Sequence, residues 1–505
     1  MKRFILKEFN FLKSITSNKD LKNASIDLDD NNYFIPISKC NYLNYSKLIP
    51  ISSFDEFFDS ESILFVCYNK IKISFVAKLL LTKDNKLMIS LIDLRIPKID
   101  ETVFYDFIQK LKNIYLVEII FDEKDLFLSS LIVKKKIEVK KMILTAGPSI
   151  TQREKIYVNE ALLNGWNSKW GSYLTAFEKE FAKYIGVKYA ISTSSCTGAM
   201  HIALMALGIG KGDEVIVPDI TWVSTANAVK LVGAIPVFAD VNLSTWTIDG
   251  DSIESLITNK TKAIMPVHLY GHPCEMDEIM DLSEKYNLKI VEDAAPSIGA
   301  EYKTKKTGSF GDFSAFSFQG AKLLVTGEGG MLCTNDEALY KKAYKIWDQG
   351  RIPGSFWIEE LGVKYKMSNI QAALGLAQLE RNDLMVEAKR NINNLYFNKL
   401  GNHSKIKFFI ESDNARSIHW MTNIRLVNTN LTREYFCKNL KEKLIDTRPV
   451  FPSISQYPYW PKKQNPQPNS KLIAETGINL PSGVCLSKEQ IDYVCDNIIE
   501  ILDNE

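Results

Sequence analysis

The sequence predicts an α/β protein whose mostly parallel sheet is covered by helices on both faces, with a small α+β domain at each end. Three observations predict it. From Gly147 onward, short apolar runs alternate with helical stretches of about 10–15 residues, the pattern of βαβ units. Composition breaks near residue 141: all 25 glycines and all eight tryptophans follow it, and only Ala24 and Ala77 stand before it among the alanines. After a long helical run, SNIQAALGLAQLERND at 368–383, the alternation gives way to a mixed pattern. The expected domains are therefore 1–140, 147–385 and 386–505.

The first domain is rich in Lys, Asn, Ile, Leu, Phe and Asp. Its runs 61–69, 73–81, 86–94 and 114–121 read as strands, and 101–113 has helical spacing of its apolar residues. TKDNKL at 82–87 suits a hairpin turn. The charged stretch IVKKKIEVKK at 132–141 closes the domain, which places a boundary at 138–146. With no glycine loop and no histidine, residues 1–140 read as an accessory α+β domain without a site of their own.

In the second domain, helices at 151–165 and 173–186 lead into a strand at 189–194 and a helix at 197–208. Strand 214–218, helix 225–233, strand 235–241, strand 263–270, helix 274–287 and strand 289–295 follow. Two more strands, 312–318 and 329–334, flank a glycine-bearing loop. The last domain reads as strand 419–427, helix 432–444, extended 445–451 and helix 488–502, with KKQNPQPNS at 462–470 as a loop.

Charge and cysteine usage narrow the function classes. Lys and Arg total 62 against 60 Asp and Glu, a net charge of +2 with both signs interspersed, which argues against a nucleic-acid partner because phosphate binding needs a concentrated basic face. No apolar run approaches the ~18 residues of a membrane span. At the N-terminus, Lys7 and Glu8 interrupt the apolar stretch that a signal peptide needs. Eight dispersed cysteines without a C-x-x-C pair read as reduced thiols, which points to a cytoplasmic protein.

Three segments can carry chemistry. In STSSCTGAMHIAL (192–204) a strand ends in small polar residues and a helix begins at once. Its first N–H groups and dipole can bind phosphate, or Ser195 or Thr197 can be an ordinary cap. In KIVEDAAPSIGA (289–300) a buried strand delivers Asp293 to its C-terminal end, where ligands bind in open α/β sheets. Asp293 could also cap a helix, whereas Glu292 faces the other way and no metal-ligand spacing accompanies it, so no metal is expected. In GSFGDFSAFSFQGAKLLVTGEGGMLCT (308–334) a single lysine, Lys322, stands beside Leu323, Leu324 and Val325. Lost hydration there would lower its pKa toward Schiff-base chemistry, although a loop lysine can simply be solvated.

These segments, with KAIMPVHLYGHP (262–273), YKMSNIQAALGLAQLER (365–381) and the ending INLPSG (478–483), occur in collinear order. Together they resemble the DegT-type family of pyridoxal-phosphate-dependent nucleotide-sugar aminotransferases, from Gly147 to the C-terminus. The resemblance implies a fold-type-I architecture and a homodimer. It implies Lys322 as the lysine that forms the Schiff base with pyridoxal phosphate and then shuttles a proton. It implies Asp293 as partner of the pyridine nitrogen, Trp222 as the stacking aromatic, and Cys196, Thr197 and Ser317 as phosphate contacts. It further implies that Lys364 reaches the phosphate from the neighbouring subunit, where many relatives carry Asn in an Asn-Tyr-Arg triplet.

Pro296 departs from the pattern, because that position often carries a residue able to hydrogen-bond the cofactor. Some relatives that dehydrate sugars have His in place of the lysine, so Lys322 favours amination. The implied substrates are a 4-keto-6-deoxy sugar on a nucleoside diphosphate and glutamate as donor, for surface polysaccharide biosynthesis. TRPVFPSIS and GINLPSG look most like perosamine-synthase relatives. Arg448 and Lys169 could face anionic parts of the substrate or simply be solvated, and His268 could line the pocket or be a satisfied structural histidine at a strand end. An aminotransferase on an oxidised eight-carbon sugar acid, or a dehydratase on the same scaffold, would carry similar motifs.

Overall fold

The structure, a computed structural model, describes residues 141–460 and 467–504, and the backbone of six strands between Ile26 and Phe121. The chain divides into two compact units, Met1–Lys136 and Ile137–Glu505. In the first, β1 (Ile26–Asp29), β2 (Asn32–Ile37), β3 (Ser62–Asn69), β4 (Ile73–Leu81), β5 (Leu87–Ile92) and β6 (Ile119–Phe121) form one sheet in sequence order. Neighbours are antiparallel except β5 and β6, which are parallel. The helix expected over 101–113 lies outside the described residues.

The second unit begins with α1 (Gln152–Asn164) and α2 (Ser172–Ile185). Thr151 and Glu154 cap α1 reciprocally, the N-terminal signature of the S/T-x-x-E type. Next come β7 (Tyr189–Thr193), α3 (Cys196–Leu207), β8 (Glu214–Pro218), α4 (Ser224–Leu231), β9 (Ile235–Ala239) and α5 (Gly250–Leu256). β10 (Thr261–Ile264), α6 (Met276–Tyr286), β11 (Lys289–Asp293), β12 (Glu301–Tyr302), β13 (Lys305–Lys306), β14 (Phe313–Ser317) and β15 (Gly330–Thr334) follow. Seven strands pair in the order β7-β15-β14-β11-β10-β8-β9. All pairs are parallel except those of β15, which runs antiparallel to both β7 and β14. Strands covered on both faces become continuous apolar runs, as EVIVP does in β8.

Helix α3 positions the site. Ser195 caps it by accepting from the Gly198 N–H, Gly208 ends it at φ 76°, and eight of its twelve residues are buried. β15 passes so close that a Cβ on Gly330 would lie 2.6 Å from the Cys196 nitrogen. Only glycine lets the antiparallel strand touch the helix start.

The remaining elements are α7 (Glu337–Trp347), α8 (Asn369–Leu379), α9 (Asn382–Leu400), β16 (Ile406–Phe408), β17 (Ala415–Arg416), β18 (Thr422–Leu426) and α10 (Arg433–Glu442). β19 (Arg448–Pro449), α11 (Pro468–Thr476), β20 (Gly477–Leu480) and α12 (Lys488–Asp503) complete the chain. β16, β18, β20 and β19 make a four-stranded antiparallel sheet. Its core joins Tyr396 and Leu400 of α9 to Ile424, Ile478, Ile491 and Val494. Ile143 belongs to that core and bridges Ile445, so the start of the second unit is stitched to its far end.

Two expected strands are shorter than the sequence suggested. In the run 263–270 regular strand pairing ends at Ile264; Met265 still donates to the Ile216 carbonyl at 2.8 Å, and Pro266, with no N–H to offer, only accepts from the Asp293 N–H at 2.8 Å. Val267 then makes a single bridge to Asp293, and the chain turns through Leu269–Gly271 with Tyr270 at φ 52°. Of 445–451 only Arg448 and Pro449 form a strand, and Ile445 makes the isolated bridge to Ile143. Among the described residues, no helix is long and apolar enough to cross a membrane.

Candidate active site

Strand β11 carries two adjacent buried carboxylates on opposite faces, and their surroundings differ. Glu292 accepts from the backbone N–H groups of Gly308 (2.7 Å), Phe310 (2.8 Å) and Gly311 (2.8 Å). It is also 3.0 Å from His268 Nε2. His268 Nδ1 accepts from the Cys274 N–H at 3.0 Å, so Nε2 carries the proton that is donated to Glu292. Of the two readings of His268, pocket residue or satisfied structural histidine, these contacts favour the second. Fully buried with both ring nitrogens engaged, it anchors the back of β11.

Asp293, at the C-terminal end of β11, is 5% exposed. Its Oδ2 accepts from Thr225 Oγ1 at 2.7 Å and its Oδ1 from the Ala295 N–H at 3.1 Å. Burial raises its pKa, and Thr225, Ala295 and the nearby Lys322 only partly oppose that. A carboxylate in this setting gains from a cationic partner.

Lys322 sits in the loop from β14 to β15, where its N–H donates to the Gln319 carbonyl at 2.8 Å. Its Nζ lies 4.0 Å from the centroid of the Trp420 ring. Burial pushes the amine's pKa down, and the charge of Asp293 pulls it partly back. The free base is thus nearer to hand than in a solvated lysine.

The start of α3 lies beside these groups. Cys196 Sγ is 4.0 Å from Asp293 Oδ1, and burial drives the thiol's pKa well up, so it stays protonated and does not act as a nucleophile. Thr197 follows it on the first turn, half-buried. Ser317 ends β14 half-buried, paired with Gly330, which itself abuts Cys196. Thr197, Ser317 and the first N–H groups of α3 therefore share one end of the sheet. Pro296 is buried and has no donor to offer.

Trp222, just past β8, is 58% exposed, with its ring 5.7 Å from that of Phe451. Phe451 stacks on Tyr270 at 5.4 Å, and Tyr270 stacks on Trp420 at 5.9 Å. A row of four aromatics so runs from Trp222 to Lys322. Lys169, Lys364 and Arg448 are exposed. Among the described residues, no hydrogen bond, ion pair or ring contact joins them to Lys322 or Asp293; Arg448 instead pairs with Asp446 at 3.4 Å. Beside Lys364, the Tyr365 carbonyl accepts from the Ser194 N–H at 2.7 Å, which holds the 364–366 segment against the start of α3.

Sequence reasoning missed Thr225, Tyr270, Phe451 and Trp420. Thr225 left a faint signal, one helical turn after Trp222 in TWVSTANAV. The others come together only through the tertiary fold, and of them Trp420 touches Lys322.

The residues present fit pyridoxal phosphate. Its aldehyde needs an amine that can be deprotonated, supplied by Lys322. Its ring nitrogen needs a buried acceptor with lone pairs to spare, and Asp293 has only two close N–H or O–H donors. The phosphate needs unpaired N–H groups and hydroxyls, found at the start of α3.

Residues 148–499 match the DegT/DnrJ/EryC1/StrS aminotransferase family. The chain is 45% identical over 361 residues to the GDP-perosamine synthase of Escherichia coli O157:H7, covering 71% of this chain and 98% of that protein. It is 41% identical over 364 residues to the GDP-perosamine synthase of Caulobacter vibrioides, covering 71% and 98%. A solved aminotransferase from Psychrobacter cryohalolentis superposes with a TM-score of 0.67 at 31% identity, covering 71% of this chain and 98% of that one.

Proposed function

Since the chain belongs to the DegT/DnrJ/EryC1/StrS aminotransferase family and is a pyridoxal-phosphate-dependent sugar aminotransferase, we propose that it aminates a 4-keto-6-deoxy sugar carried on a nucleoside diphosphate. Glutamate is the amino donor, the enzyme is a homodimer, and the product serves surface polysaccharide biosynthesis. One observation carries the amination reading: a desolvated lysine amine, Lys322, stands within the electrostatic reach of a strand-end carboxylate, Asp293. The substrate class rests on the 45% identity to an enzyme named for GDP-perosamine.

Bound at this site, pyridoxal phosphate supplies an electron sink for charge developing on the carbon next to the transferred nitrogen. The chain's own residues do the rest. Lys322 Nζ would hold the cofactor covalently at rest, and as a free base it would take up and return the proton of the substrate carbon. Asp293, fixed by Thr225 and Ala295, keeps a proton on the ring nitrogen through a charge-assisted hydrogen bond. Trp222 covers the ring. Thr197, Ser317 and the start of α3 hold the phosphate, and Lys364 of the neighbouring subunit adds a charge to it. Arg448 and Lys169 meet the anionic parts of the sugar nucleotide.

The test is a panel of keto-sugars and sugar aldehydes, free and nucleotide-linked, incubated with glutamate and read by mass spectrometry. A nucleotide sugar that bears an amine in place of its keto oxygen, formed with 2-oxoglutarate, is the expected product. A sugar that has lost water without gaining nitrogen would overturn the amination reading, and amination only of an eight-carbon sugar acid would overturn the substrate class.

A further inference from the structure

Trp420 has no part in the chemistry derived above, yet it is among the most restrained side chains near Lys322. It is 6% exposed and precedes β18. Its Nε1 donates to the carbonyl of Ala321, the residue before the lysine, at 2.9 Å. Its backbone N–H donates to the Tyr270 carbonyl at 2.9 Å, and its ring stacks on Tyr270 at an interplanar angle of 22°. Its own carbonyl accepts from Lys389 Nζ at 2.7 Å. Every handle on the indole is held, and its face is turned to Lys322 Nζ.

Lys389 lends that arrangement weight. It lies on α9, 4% exposed, with no carboxylate bonded to it among the described residues. Its second acceptor is the Ser482 carbonyl. Ser482 Oγ in turn accepts from the Thr422 N–H at 2.8 Å, two residues after Trp420. A buried lysine with only carbonyl partners is costly, and burial lowers its pKa to about 7. The cost is met at the one place where α9, the segment entering β18 and the turn after β20 converge behind Trp420.

We propose that Trp420 is a positioning residue for Lys322, its indole face holding and partly charging the reacting amine, with Lys389 fixing that face from behind. An ammonium at 4.0 Å over an aromatic face is favoured over the neutral amine. The ring therefore works with the Asp293 carboxylate against desolvation, while the Cys196 thiol, which also faces Lys322, stays neutral. Through the Nε1 bond to Ala321 it also fixes the backbone from which the lysine projects. This inference rests on Lys322 being the cofactor-bearing lysine.

The experiment separates the two claims. Borohydride reduction of the full-length holoenzyme, followed by peptide mapping, tests the lysine; label on a residue other than 322 overturns that reading. With label on 322, the full-length chain freed of cofactor is acetylated across a pH series in wild type, Trp420→Leu, Trp420→Phe and Lys389→Met, and modification of Lys322 is followed by mass spectrometry. Trp420→Leu should move the reactivity midpoint of Lys322 down by roughly half a pH unit or more, and Trp420→Phe should restore part of the shift. Lys389→Met should shift it in the same direction, and combining it with Trp420→Leu should add nothing. An unchanged or raised midpoint in folded Trp420→Leu, or equal shifts for Leu and Phe, overturns the positioning role. Additive shifts in the double variant overturn the Lys389 link.

Discussion

The two compact units differ in the residue types from which they are made. Met1–Lys136 contains no glycine, tryptophan or histidine, and its described strands all pair with their sequence neighbours. Ile137–Glu505 holds all three residue types and pairs strands that are far apart in sequence. Gly330 shows why that matters: a site on a helix start needs backbones closer than a Cβ permits. A chain without glycine can build a sheet but not this cradle. The comparison teaches that chemistry here depends on a few close approaches rather than on the amount of folded chain, and mutations should rank accordingly.

The largest effect belongs to Lys322. Lys322→Ala should lower transamination on the order of 10⁴-fold or more, since both covalent binding and proton transfer are lost. Borohydride should then fix no cofactor to the peptide that holds residue 322. Turnover within tenfold of wild type would move the chemistry to another lysine. Next is Asp293→Asn, which keeps the shape and the Thr225 contact but not the charge. Turnover should fall on the order of 10²-fold or more with cofactor still bound, as an amide cannot hold the ring nitrogen's proton. A near-wild-type rate would leave Asp293 as a structural cap.

One residue away, Glu292→Gln should behave in the opposite way. Replacing one carboxylate oxygen by NH₂ sets a donor against two of the four donors around it. The expected loss is roughly 3 kcal/mol of stability, seen as a lower denaturant midpoint, with kcat per folded molecule nearly unchanged. If kcat instead drops as far as it does for Asp293→Asn, the two faces of β11 are not functionally distinct.

What was legible in the sequence follows the same division. Alternating strands and helices, Asp293 at a strand end and Lys322 among apolar neighbours are local patterns, and they could be read one segment at a time. The back of the site could not. Thr225 reaches Asp293 across 68 residues, and Trp420 reaches Ala321 across 99. His268, near the end of an expected strand, could be read as a pocket or a structural residue, and its partner Glu292, on the far face of β11, is not visible in the local pattern. Tyr270 in left-handed backbone is set by packing against Trp420 and Phe451, which no local propensity encodes. Nor did the pattern at 138–146 reveal that Ile143 pairs with Ile445.

The smallest expected effect comes from the largest change. Deleting residues 1–140 removes a whole compact unit and leaves a chain that begins at Lys141. The family match starts at residue 148, and relatives of which 98% is covered align to about 71% of this chain, so those enzymes are complete without such a unit. Every described contact of Lys322, Asp293, Trp222 and Trp420 lies within Ile137–Glu505. Ile143 and Thr145 remain in the shortened chain, so the stitch between Ile143 and Ile445 and the bond from the Thr145 N–H to Asp446 (3.2 Å) survive. The shortened protein should bind pyridoxal phosphate and transaminate with kcat within about tenfold of full length, a barrier change of at most ~1.4 kcal/mol. The measurement is steady-state turnover on the same nucleotide sugar, with cofactor content read by absorbance. A folded, cofactor-loaded truncation with no transamination would mean that the glycine-free unit contributes residues to the reaction, and the contrast between the two units would fail.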